Sequence, residues 1–154
     1  MYMFGVFMLR VSSKSRYAVR IMVHLAQQGL HASPARKQDI AASEEISADY
    51  VEQILIRLRG GGLVTSHRGA RGGFTLAREP HLIRVLDVIE AAEGNLAFVP
   101  EEEALSGHAT IAATSQMWHA AQALLEGNLA DVTIAGLAAE ADKLRQGAQL
   151  LYDI

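Results

Sequence analysis

The chain has 154 residues, a length that favours one domain or a small domain with an appendage. Half of its residues are hydrophobic and 20% are charged, which is enough apolar material for a packed core. No apolar run approaches the ~18 residues that a membrane span requires, so an integral membrane protein is excluded. The absence of cysteine excludes disulfides, thiolate metal sites and cysteine nucleophiles.

The charge is distributed unevenly along the chain, although the net charge is only −3. Residues 1–80 contain eleven Lys and Arg against six Asp and Glu, whereas residues 81–154 contain three against eleven. A basic half followed by an acidic half indicates a module that faces nucleic acid, joined to a part that does not touch phosphate.

The first seven residues are apolar but lack the basic segment and the cleavage-like site of a signal peptide. We interpret residues 1–7 as an upstream extension or a cloning remnant and leave them out of the fold prediction. A cytoplasmic protein is therefore expected.

The pattern after this extension predicts a helix-turn-helix. Residues 15–28 and 47–59 repeat apolar side chains at helical spacing, and a short helical segment at residues 37–43 lies between them. Ser47 occupies the N-cap position of the last helix, and three consecutive glycines at residues 60–62 end it. A short helix, a tight turn and a second helix, packed against a preceding helix, form this motif.

A wing is predicted directly after these helices. Residues 63–66 and 74–76 have strand character, and the glycine-rich segment between them contains Arg68 and Arg71. Glycine permits close approach of the backbone to DNA, and arginine suits the narrow minor groove. The alternative is an ordinary surface hairpin with solvated charges, which the preceding helix-turn-helix disfavours.

The acidic half predicts helices at residues 83–92, 111–126 and 133–144, with a loop at residues 95–107. The Ala-rich helix at 111–126 lacks enough bulky partners within the chain, so we expect it to pack against a symmetry mate. The predicted fold is mainly α with a small β wing. It comprises a winged helix-turn-helix domain at residues 8–80 and a dimerisation and sensor-loop region, with a long dimerisation helix, at residues 81–154.

Several segments resemble the Rrf2 family of bacterial winged-helix transcription regulators, which includes the IscR, NsrR and CymR types. The matching segments are residues 15–20, 46–54, 57–64, 68–74 and 88–94 and the Gly-His-Ala at 107–109. The resemblance extends from residue 8 to about residue 145. It implies a homodimer that binds double-stranded DNA at a pseudo-palindromic operator.

Carried over by position, the resemblance places four side chains of the recognition helix at DNA. Gln53 can pair with adenine, Glu52 can accept from a cytosine amino group, and Ser47 and Tyr50 are expected at phosphates. Partial core packing is the alternative for Tyr50. The remaining candidate DNA-binding residues are Arg57, Arg68 and Arg71.

The chain departs from the family where many members hold an iron–sulfur cluster with three cysteines. Ala104, Ala109 and Ser115 stand at these former cluster-ligand positions, and Arg16 stands where some relatives supply an acidic ligand from the first helix. We therefore expect no cofactor in this sequence. Either the chain lost the cluster naturally or its cysteines were replaced, and the sequence does not separate these two histories.

A divalent metal on carboxylates and histidines is a further alternative, since Glu101, Glu102, Glu103, His108 and His119 are close in sequence. We expect no metal site, because an exposed acidic run is usually a solvated loop.

The chain lacks the Ser-elbow, P-loop and HExxH motifs, so it is not expected to be an enzyme. The favoured function is a dimeric, sequence-specific repressor in a cluster-free form. The alternatives are a regulator that docks a metabolic enzyme through its acidic half and a small-ligand sensor with an apolar cavity.

Overall fold

The computed structural model of the protein describes residues 11–152, so the proposed extension at residues 1–7 lies outside the described residues. The predicted class, mainly α with a small β wing, is confirmed. The elements in chain order are α1 Ser13–Gln28, α2 Lys37–Glu44, α3 Ala48–Gly60, β1 Val64–His67, β2 Gly73–Leu76, a 3-10 turn Pro80–Leu82, α4 Val85–Glu93, a 3-10 turn Glu101–Leu105, α5 Ala109–Asp131 and α6 Ile134–Tyr152.

The core of the winged helix is built where α1, α2 and α3 meet. Ile21 and Met22 of α1 are fully buried, as are Ile40 of α2 and Ile54 and Leu55 of α3. Burying one such side chain contributes about 1.5–3 kcal/mol, so this apolar cluster is what holds the three helices together.

The turn between α2 and α3 is fixed by backbone geometry and by a helix cap. Glu45 adopts the left-handed conformation with φ 55°, and the N–H of Ile46 donates to the carbonyl of Ala41 at 3.0 Å. The hydroxyl of Ser47 accepts from the N–H of Tyr50 at 3.3 Å, which confirms Ser47 as the N-cap of α3.

The wing is an antiparallel pair in which Val64 faces Leu76 and His67 faces Gly73. A second backbone pairing joins it to the segment before α2, because Ala35 and Phe74 exchange hydrogen bonds of 2.9 and 2.8 Å. This pairing connects the wing to the helical core at a point close to its glycine-rich tip.

The C-terminal elements complete the same core. The N–H of Ile134 donates to the carbonyl of Ile83 at 2.9 Å, and both side chains are fully buried. Asp87 caps the N-terminus of α4 by accepting from the N–H of Arg84 at 2.9 Å. The Arg84 guanidinium also donates to Asp87 and holds the pKa of that carboxyl below its ordinary value. The backbone bond from Ile134 to Ile83 joins the start of α6 to this core.

Helix α5 differs from the others because only one of its 23 residues, Ser115, is buried. Both α5 and α6 extend beyond the predicted ends at residues 126 and 144 and continue through Gly127 and Gly147. A helical glycine costs about 1 kcal/mol relative to alanine, which is too little to end a helix that is otherwise rich in alanine and leucine.

The pairing between the wing and the helical core yields a stability prediction. A Cβ added at Gly73 would lie 2.4 Å from the carbonyl oxygen of Ala35, so Gly73→Ala has to displace backbone. We expect a loss of about 1–3 kcal/mol in the free energy of unfolding, measured by urea denaturation. Gly60→Ala is the matched control, because its Cβ would meet nothing within 4 Å. Equal stability of the two variants would contradict this account of how the wing is held.

Candidate nucleic-acid interface

The recognition helix α3 exposes polar side chains on the face opposite its buried one. Val51, Ile54 and Leu55 are fully buried, whereas Gln53 and Arg57 are exposed. Gln53 and Arg57 are four residues apart and therefore lie on one face of the helix. This exposed face can enter a groove of DNA.

Tyr50 occupies an intermediate position between this surface and the core. Its ring packs edge-on against Tyr17 of α1, with centroids 5.7 Å apart, and the residue is half-buried. The guanidinium of Arg20 lies 5.4 Å from the centre of the Tyr17 ring and also pairs with Glu44. Tyr50 is therefore partly packed on the core, and the rest of its side chain is available to a partner.

Glu52 is engaged by a residue that sequence reasoning did not select. The Nζ atom of Lys37, at the start of α2, donates to the Glu52 carboxylate at 2.5 Å. This hydrogen bond raises the pKa of Lys37 above its ordinary value. The pair brings a cation and an anion to the edge of the recognition helix, so each screens the charge of the other.

Arg68 and Arg71 lie at the tip of the wing, and both are exposed. Gly69 turns the tip with φ 98°, in the left-handed region that favours glycine. Arg36 donates from its guanidinium to the carbonyl of Ala70 at 2.8 Å, which ties the tip to the segment before α2. The two wing arginines are therefore presented on a restrained loop.

Three basic side chains near this surface were not among the DNA-binding residues predicted from the sequence. Arg36 and Lys37 flank the start of α2, and Arg59 at the end of α3 donates to the hydroxyl of Ser66 at 3.3 Å. The excess of basic residues in the first half was the available signal. Their individual roles depend on contacts across the fold that a linear pattern does not contain.

Ala104, Ala109 and Ser115, which the resemblance predicts at cluster-ligand positions, do not fit an iron–sulfur cluster. Ala104 and Ala109 carry no donor atom, and only Ser115 has a polar side chain. Ser115 is fully buried, and its Oγ atom lies 3.2 Å from Nδ1 of His119. Arg16, at the fourth position, is exposed on α1 and donates to the hydroxyl of Ser13 at 3.3 Å.

The histidines and glutamates of this region do not gather around a common centre. Within residues 11–152, no three side chains of His, Asp or Glu are grouped so that they could hold a metal ion. His108 lies 2.9 Å from the hydroxyl of Thr110, and His119 contacts Ser115. Glu101 and Glu102 are exposed in a 3-10 turn.

None of the helices between residues 11 and 152 is both long enough and apolar enough to cross a membrane.

The helix-turn-helix, the restrained basic wing and the polar outer face of α3 define a winged-helix DNA-binding regulator. Comparison with known families matches residues 11–140 to Rrf2, described as an iron-dependent transcriptional regulator. The HTH-type transcriptional regulator Rv1287 of Mycobacterium tuberculosis is 36% identical over 134 residues, covering 84% of this chain and 81% of the relative. The chain therefore belongs to the Rrf2 family of transcriptional regulators and is not an enzyme.

Solved structures agree with this assignment. The structure of CymR, the global cysteine regulator of B. subtilis, superposes with a TM-score of 0.70 at 32% identity and covers 86% of this chain and 98% of CymR. The structure of T. potens IscR gives a TM-score of 0.72 at 35% identity and covers 91% of this chain and 93% of IscR. Both likenesses include the winged helix and the helices that follow it.

Proposed function

We propose that the protein is a homodimeric repressor that binds a pseudo-palindromic operator and does so without an iron–sulfur cluster. Residues 8–80 bind DNA, and residues 81–154 join the two subunits. The observation that carries the proposal is the exposed Gln53–Arg57 face of α3 beside a wing that presents Arg68 and Arg71. An HTH helix in the major groove with a basic tip at the adjacent minor groove is a geometry that reads a half-site.

Within this interface the residues have different tasks. Gln53 reads a base edge, because an amide side chain can bond adenine through two hydrogen bonds. Ser47, Arg57, Arg68 and Arg71 contact phosphates or the minor groove, which sets register and affinity. Tyr50 contributes a phosphate contact from its exposed edge while its ring remains packed on Tyr17.

The effect of Glu52 on DNA binding depends on its ion pair with Lys37. The carboxylate can accept from a cytosine amino group, but it also neutralises an ammonium that would otherwise attract phosphate. Glu52 therefore improves discrimination by lowering affinity for DNA of arbitrary sequence.

Dimerisation through α5 is supported by a repeating exposed surface. Ile111, Trp118 and Leu125 recur every seven residues, and Met117 and Leu124 lie beside them. All five are exposed, with Leu124 at 78%. A seven-residue apolar repeat is typical of helices that pack along one another, so a second copy of α5 is the natural cover.

The DNA-reading prediction compares an operator, selected from random duplexes by the unmodified protein, with random DNA. Gln53→Ala should cost ~1–3 kcal/mol on the operator and much less on random DNA. Arg68→Ala or Arg71→Ala should lower the slope of log affinity against log salt by about one phosphate contact. Gln146→Ala and Arg145→Ala on exposed parts of α6 are the controls. If Gln53→Ala weakens binding to the operator and to random DNA equally, α3 contacts only the DNA backbone and does not read bases.

The Lys37–Glu52 pair can be tested by a double-mutant cycle on random DNA. Glu52→Gln should raise affinity and steepen the salt dependence by about one contact, because it frees the Lys37 ammonium. The same change in a Lys37→Met background should give a smaller gain, because there it relieves only the repulsion between the Glu52 carboxylate and phosphate. Equal gains in both backgrounds would show that Glu52 acts independently of Lys37.

The dimer prediction uses sedimentation at micromolar concentration. The unmodified protein should sediment as a dimer, and Leu124→Glu should produce monomers, because a carboxylate would have to be buried without a partner. Leu82→Glu, at a residue that is 59% exposed outside α5, is the control and should leave the dimer intact. A monomeric unmodified protein would refute the proposed assembly.

The cluster-free proposal predicts that protein purified and reconstituted without oxygen contains no stoichiometric iron or sulfide. If the chain is a substituted form of a sensor, replacing Ala104, Ala109 and Ser115 together with cysteine should restore cluster binding, measured by iron and sulfide content and visible absorbance. Stoichiometric iron and sulfide in the unmodified protein would overturn the proposal.

A further inference from the structure

A cavity of about 850 Å³ lies between α1, α4, the segment at residues 94–98 and α5. This volume falls within the ~300–1,000 Å³ that pockets for small molecules usually have. Its wall is mainly apolar, and the aliphatic residues that line it include Val11, Val19, Val85, Ile89, Leu96 and Leu125. The cavity is therefore suited to the apolar body of a ligand.

Three charged side chains line the cavity, and only some of them have a strong polar partner within the protein. Arg20 is paired with Glu44, and Glu93 accepts from the backbone N–H of Ser15 at 3.2 Å. Arg16 has no carboxylate partner among residues 11–152; its guanidinium donates to the hydroxyl of Ser13 and lies 5.8 Å from the centre of the Tyr17 ring. One arginine at the wall is thus available to an anion.

We propose that this cavity binds a small amphipathic carboxylate, with its apolar chain inside the cavity and its carboxylate on Arg16. Arginine matches a carboxylate with two parallel hydrogen bonds, which orients the ligand as well as attracting it. The apolar wall supplies the remaining affinity, and each buried methylene strengthens binding about fourfold.

The position of the cavity gives the ligand a regulatory effect. Its wall combines α1, which packs against the recognition helix, with Leu125 and Leu129 of α5. Occupancy changes how the winged helix sits on the dimerisation helix and hence the spacing of the two recognition helices. This effect on DNA rests on the proposed function, whereas binding of the ligand does not.

Binding can be followed through the single tryptophan of the chain. Trp118 packs edge-on against Phe98, with centroids 6.3 Å apart, and Phe98 lines the cavity. Sodium decanoate, kept below its micelle concentration, is titrated into the full-length protein, with calorimetry to give the stoichiometry. Saturable binding of one decanoate per chain is expected, with decanol weaker and decylamine weaker still. Octanoate, two methylenes shorter, should bind about 16-fold more weakly than decanoate.

Matched variants separate the charge from the cavity. Arg16→Gln should weaken decanoate about tenfold and leave decanol within about twofold, because only the charged hydrogen bonds are lost. Val19→Phe should weaken both ligands by filling the cavity. Lys143→Gln, at an exposed residue of α6 that does not line the cavity, should weaken neither. Thermal melting confirms that each variant is folded.

Several results would overturn the inference. Equal affinity for decanoate, decanol and decylamine would show that Arg16 does not select an anion. Failure of the dimer to bind decanoate would show that the second copy fills the cavity instead. Loss of operator binding in ligand-free protein would count against the proposed function alone, because decanoate binding is measured without DNA.

Discussion

Burial of one face of α3 is the constraint on which the rest of the winged helix depends. Val51, Ile54, Leu55 and Leu58 are fully buried, and these four positions determine the rotation of the helix about its axis. Once that rotation is set, Gln53 and the other polar positions of α3 can only point outwards. The core therefore decides which side chains are offered to DNA, even though none of the core residues can touch it.

The segment before α2 gives the wing and the recognition helix a common support. Ala35 pairs with Phe74 through its backbone, Arg36 bonds the wing tip at Ala70, and Lys37 bonds Glu52 of α3. Three consecutive residues thus contact both parts of the candidate interface. Because these contacts join backbone and charged groups at short distances, the wing and α3 are held at a defined separation, as the reading of neighbouring grooves requires.

The two long helices of the second half of the chain, α5 and α6, differ in how they relate to the core. Helix α6 begins in the core through Ile134, whereas α5 buries only Ser115 and leaves Trp118 and Leu124 exposed. An apolar helix left outside a complete core can serve association, and the cavity beside it lies where the two halves of the chain meet. Helix α5 is therefore the long helix of this half that adds less to the buried core.

The sequence by itself determined α1, α3, the wing and the Ser47 cap, because helical periodicity, glycine clusters and N-cap preference act between neighbouring residues. It placed the ends of α5 and α6 too early, at residues 126 and 144, whereas both helices continue through a glycine, whose cost in a helix is small. Only the tertiary structure decided the pairing of Lys37 with Glu52, the bond from Arg36 to Ala70 and the cavity beside Arg16. These contacts join residues far apart in the chain, and their geometry depends on how helices cross, which no local pattern encodes.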